Sequence, residues 1–163
     1  MKDYFRNRGS QSDLKKAQLT ETRLRFILLN LLYVDQMGVS PFNVKYKGND
    51  PHVDHIYPRH ASLTKLDLSS SEVNHLGNYR FVGATDNIRK RGELPANYFT
   101  RLKNAGIDIS KHLLLSDFSA NPTTLAFNVD VYRQFRDQRL DMIWQIADAI
   151  VNPEGVSALS VAA

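Results

Sequence analysis

Between His52 and Phe99 the chain carries two short apolar runs, each closed by a turn residue, and a helical turn directly after the second. The first run, Val53–Tyr57, is stopped by Pro58. The second, Tyr79–Val82, is entered through Gly77-Asn78 and left at Gly83. Thr85 can then cap a helix over about 86–91. Two strands this short cannot make a core of their own, so the rest of the chain must bury them. Its periodicity is helical. Leu24, Ile27, Leu28, Leu31 and Val34 follow Thr20 at helical spacing and stop near Gly38, with Leu29 and Leu32 widening the stripe. Pro95 sits in the first turn of a predicted helix through Lys103, with Gly106 just past its end. Ser110 starts a shorter piece through Leu115, and Val131, Phe135, Ile143, Ile146 and Ile150 mark a long last helix. The pattern predicts an α+β fold: a short antiparallel hairpin and helix embedded in a mainly helical domain.

At 163 residues there is room for one domain with a real core. Residues 1–19 are polar and aperiodic and are expected to be a leader or linker; the domain is expected over 20–152, with a loose tail over 153–163. Ser40-Pro41 and Gly48–Pro51 place turns on either side of a β-like run, Asn43–Tyr46, and residues 59–75 form a polar, serine-bearing excursion. The chain has no cysteine, which excludes disulfides, zinc-thiolate sites and cysteine catalysis and suits a reducing cytoplasm. No apolar run reaches the roughly 20 residues a membrane span needs. The net charge is +4, and Lys45, Lys47, Arg59, Lys65, Arg80, Arg89, Lys90, Arg91, Arg101 and Lys103 cluster around the hairpin region. A polyanionic partner and a merely solvated basic surface fit that placement equally.

The polar residues in the hairpin region narrow the choice. Asp54 offers an anionic oxygen beside His55, and Asn87 a neutral carbonyl oxygen just before Arg89, Lys90 and Arg91. Hydrolysis of a phosphodiester needs a base for the attacking water and a cation for the phosphoryl charge. An imidazole with a pKa of about 6.5 can be the first, and one hard divalent cation on oxygen ligands the second. Neighbours on a regular strand point to opposite faces, so the backbone is expected to bend near Asp54-His55 for both to serve one site. Each residue also has a plainer reading. Asn78 suits a turn, Asn87 a helix start, and Lys90 and Arg91 a solvated helix face. His52, His60, His75 and His112 have no matched spacing and are expected in loops or on the surface. Tyr79, Phe81, Tyr98, Phe99, Phe135 and Trp144 are expected in the core.

Asp54-His55-Ile-Tyr-Pro58, Asn78 and Asn87 resemble the signature of HNH endonucleases, the ββα-metal or His-Me finger superfamily. Leu76-Gly77-Asn78 and the later Arg-Gly-Glu-Leu-Pro-Ala-Asn-Tyr-Phe99 are similar to the C-terminal HNH domain of GmrSD-type restriction proteins. The resemblance covers residues 52–99. It implies a ββα-metal core with His55 as general base, Asn78 bracing the loop that carries it, and Asp54 and Asn87 as metal ligands. It further implies one divalent cation, Mg²⁺ or Mn²⁺, with Arg59, Arg89, Lys90 and Arg91 as DNA contacts. The implied activity is that of a DNA endonuclease, the effector of an anti-phage or modification-dependent restriction system. With one base and one metal constellation in view, it is expected to act first as a nickase. An upstream NTPase or sensor domain would be its partner, since no phosphate-binding loop is present here. In this chain the excursion 59–75 lengthens the interval before Asn78, and Asn87 stands where many members have histidine. A DNA-binding module without chemistry and a helical interaction domain are the alternatives, and no residue pattern declares a dimer surface.

Overall fold

A computed structural model of the protein describes residues 27–33 and 51–151, the side chains of Pro51 and Val151 excepted. The expected leader, the run Asn43–Tyr46, the tail and both ends of the first helix lie outside the described residues. Residues 27–33 are helical (α1). After them come β1 (Pro51–His55), α2 (Arg59–Lys65), α3 (Ser70–Val73), a 3₁₀ turn (Leu76–Asn78), β2 (Tyr79–Gly83) and α4 (Ala84–Lys90). The remainder is helical: α5 (Pro95–Asn104), α6 (Ser110–Leu113), α7 (Ser116–Ala120), a 3₁₀ turn (Pro122–Thr124) and the long α8 (Val129–Val151). The described residues thus form a helix-rich α+β fold around an antiparallel hairpin, paired His52 to Val82, Asp54 to Arg80 and His55 to Tyr79.

Two local expectations are corrected, and the excursion gains structure. β1 runs over Pro51–His55 rather than 53–57, because Asn78 takes the next two amides: Ile56 N donates to Asn78 O at 2.8 Å and Tyr57 N to Asn78 Oδ1 at 2.8 Å. The excursion 59–75, whose form the sequence left open, is partly helical. It holds α2 and α3, and a capping box between Ser69 and Glu72 starts the latter. Helix α4 begins at Ala84 with Gly83 in the cap position, so Thr85 lies inside it, while Arg91 sits just beyond its end in the left-handed conformation with φ 46°.

Helix α8 is the spine of the molecule. Its Tyr132 and Phe135 join Ile56, Tyr57, Phe99 and Leu113 in one buried cluster. Further along, Leu140, Ile143 and Ala147 pack with α1 and with Tyr79 and Phe81 in another. Each fully buried side chain of this size contributes roughly 1.5–3 kcal/mol. Between the clusters lies Arg139, 1% exposed. Its Nη1 donates to Gly77 O at 3.0 Å and Tyr79 O at 2.6 Å, and its Nε to His112 O at 3.2 Å. The 3₁₀ turn therefore lies directly on α8. A Cβ at Gly77 would stand 2.1 Å from the main-chain oxygen of Arg136, so only glycine permits the approach.

Candidate functional site

The hairpin and α4 form a β-β-α unit, with α4 packed on both strands. His52 and Asp54 are two apart on β1 and share its face. Asn87 and Lys90, three apart on α4, share the face turned toward them. Two side-chain pairs result. Asn87 Nδ2 lies 3.4 Å from His52 Nδ1, and Lys90 Nζ lies 2.8 Å and 3.0 Å from the two oxygens of Asp54. Arg80, opposite Asp54 in the ladder, donates its Nε to Oδ2 at 2.9 Å. Asp54, Arg80 and Lys90 are all buried. The Arg80 guanidinium stacks over Tyr98, 4.8 Å from the ring centre, and its two terminal nitrogens are buried without a hydrogen-bond partner. Burial pulls the Lys90 ammonium down to about 8, against the pull of Asp54 in the other direction.

His55 has a different setting. β1 stays regular through this residue, so the expected bend between Asp54 and His55 is absent and the two side chains meet different neighbours. The His55 ring lies 4.7 Å from that of Tyr79, and its Nε2 is 3.0 Å from Asn74 Oδ1. The same oxygen accepts from the Tyr79 hydroxyl at 3.2 Å, while Asn74 Nδ2 donates to Ser70 Oγ at 3.1 Å. An amide oxygen cannot donate, so His55 Nε2 carries the proton in this contact and Nδ1 keeps the lone pair. Burial lowers the His55 pKa, which keeps the ring neutral at neutral pH. Asn74, which no motif announced, is the hydrogen-bond partner of the His55 ring. It comes from the end of α3, in the excursion whose purpose the sequence left open.

Asn78 is fully buried and braces the turn between β1 and α2. Besides accepting from Tyr57 N, it donates Nδ2 to Tyr57 O at 3.2 Å and Val73 O at 3.0 Å. Arg59, Arg89 and Arg91 are exposed, and Arg59 lies close enough to His55 to help lower its pKa. Lys90 and Arg80 depart from the expected basic surface, because Asp54 draws both inside.

The oxygen donors expected for a divalent cation are chemically suitable, a carboxylate and a carboxamide on one face of the β-β-α unit. Their present partners do not suit it. Both Asp54 oxygens already accept from cations, and Asn87 turns its amide toward His52. In this arrangement the residues do not fit a divalent metal. Nor, among the described residues, is there a group of three histidines or carboxylates that could hold one.

Two further histidines make the fold sensitive to acid. Burial lowers His75 to about 4, with Arg136 adding to the effect. His75 Nδ1 must stay unprotonated to accept from Gly77 N at 3.2 Å. His112 is lowered to about 3, by burial first and then by Arg80 and Arg139. In the unfolded chain both protonate near their ordinary value of about 6.5. Between about 6.5 and those lowered values the unfolded state binds more protons than the folded one, so stability falls as pH falls. The denaturant midpoint should therefore drop steadily from pH about 7 to about 4.5, before most carboxylates titrate. An unchanged midpoint over that range would contradict the burial of these rings.

Among the described residues no helix is long and apolar enough to cross a membrane. The chain finds no match among protein-family models, curated proteins or solved structures.

Proposed function

We propose that this chain is a metal-dependent endonuclease of the ββα-metal kind, hydrolysing DNA phosphodiester bonds one strand at a time. The observation that carries the reading is the anchoring of His55. A neutral imidazole, tethered through Nε2 to Asn74, keeps its lone pair on Nδ1, with Arg59 close by. In this reading a water oxygen attacks phosphorus, its proton passes to His55 Nδ1, and the bond from phosphorus to the leaving sugar oxygen breaks. Arg59, Arg89 and Arg91 contact phosphate, which positions DNA without reading its sequence. Mg²⁺, or Mn²⁺ in its place, is the proposed cofactor, with Asp54 and Asn87 as its ligands once their present partners are released. Selection of modified or foreign DNA falls to an upstream NTPase or sensor domain. The setting proposed is a cytoplasmic anti-phage or restriction system.

One observation favours a second reading. A carboxylate already neutralised by Lys90 and Arg80 suits a DNA-binding module that has lost its chemistry. Incubation with supercoiled plasmid separates the two. Nicked circles should accumulate before any linear DNA, linear product should depend on protein concentration, and a chelator should stop both. Plasmid that is bound but left intact at every Mg²⁺ or Mn²⁺ concentration would favour the binding module.

A further inference from the structure

We infer that a cavity between α1, β2, α6 and α8 binds one small inorganic anion of chloride size, held by Arg80 and Arg139. The site stands apart from the nuclease reading and does not depend on it. Its first support is the balance of buried charge. Among the described residues the buried charged side chains are Asp54, Arg80, Lys90 and Arg139, three cations against one carboxylate. Asp54 is shared between Lys90 and Arg80. The hydrogen bonds of Arg139 go to the carbonyls of Gly77, Tyr79 and His112, which satisfy its protons and leave its charge unmatched. A buried cation without a counter-ion is costly, and here the excess is concentrated in one part of the fold.

The second support is the cavity itself. Arg80, Arg139, Lys111 and His112 line a space of about 20 Å³, and side chains of α1 with Phe81 complete its wall. No carboxylate is among the described residues that line it. Arg80 brings unused donors. Its Nε is engaged by Asp54 and its guanidinium lies over the Tyr98 and Phe99 rings, but neither terminal nitrogen has a hydrogen-bond partner in the protein. The residue is 2% exposed, so bulk solvent does not serve those nitrogens. The surroundings are electropositive as well: burial first, then Arg80 and Arg139, bring His112 down to about 3. Asp108, the carboxylate that His112 feels besides Asp54, is exposed and bonded to Ser110. A water molecule needs roughly 10–15 Å³, so the space suits one halide-sized ion and is too small for a tetrahedral oxyanion. A water there would meet the donors and leave the charge. A monoanion meets both, and it ties Arg80 on β2 to Arg139 on α8.

Exchange of chloride for gluconate, an anion too large for the cavity, tests this on the full chain at constant ionic strength. In ¹⁵N-labelled wild type, the side-chain Nε–H resonances of Arg80 and Arg139 should shift along a saturable curve as chloride is raised. The urea midpoint should rise over the same range, because the ion binds only the folded state. Resonances that stay in place, or drift in proportion to chloride without saturating, would overturn the site, and this arm needs no variant to fold. Arg80→Met removes the unused donors and leaves Asp54 paired with Lys90. In that variant the Arg139 shift and the chloride-dependent rise in midpoint should both be lost. A rise that the variant keeps in full would place chloride elsewhere and overturn the inference. Phosphate in place of chloride should move neither arginine, and a saturable shift with phosphate alone would overturn the choice of a halide-sized ion.

Discussion

His55→Ala should lower the single-turnover rate of DNA cleavage by about 100- to 10,000-fold, the usual worth of a positioned general base. Should cleavage persist, His52 and His60 are the bases to test next. His52 sits beside Asn87 on the other face of β1, and His60 is exposed on α2. His75 Nδ1 accepts from Gly77 N, and His112 has Arg80 and Arg139 close by. The fold should tolerate the change. Asn74 loses one partner but keeps the Tyr79 hydroxyl and Ser70, so the cost is that of a single hydrogen bond, about 1 kcal/mol. Cleavage of a labelled duplex in a single turnover, with binding measured separately, checks both halves. A rate near wild type would move the base away from His55.

Asn78→Ala should be the most damaging single change to stability among the site residues. Its side chain satisfies the Tyr57 N–H, the Tyr57 carbonyl and the Val73 carbonyl, all in a fully buried place. Alanine leaves three polar groups without partners and without water. At about 1–3 kcal/mol for each orphaned group, the loss reaches several kcal/mol, a large part of what holds a domain of this size. Activity should fall with it, because the same bonds fix the backbone just after His55 and the end of α3 that carries Asn74. Chemical denaturation measures the first effect and cleavage at a temperature where the variant stays folded measures the second. A midpoint close to wild type would reduce Asn78 to a turn residue.

The hairpin and its following helix were legible because their signals are local: Pro58, Gly77-Asn78, Gly83 and two apolar runs. The ends of β1 were not, since they depend on Asn78 capturing the amides of Ile56 and Tyr57 from across the fold. The capping box of α3 did stand in the sequence as Ser69-Ser70-Ser71-Glu72, but the polar composition of the excursion concealed it. Charge was the least legible property. Arg80 and Lys90 read as surface residues until the strand register set one opposite Asp54 and the helix set the other above it. Arg139 gave no hint either. A basic residue on a long amphipathic helix is expected in solvent, yet its three carbonyl partners come from the 3₁₀ turn, the start of β2 and α6, brought together only by the tertiary fold.

The claim that matters most is that His55 works as a base on a phosphodiester, and plasmid scission by paired preparations tests it most directly. Wild type and His55→Ala, purified identically and matched for unfolding midpoint and DNA binding, are incubated with supercoiled plasmid and Mg²⁺. Wild type should convert the plasmid to nicked circles while His55→Ala leaves it supercoiled over the same time. Nicking by both at the same rate, or by neither, would contradict the account.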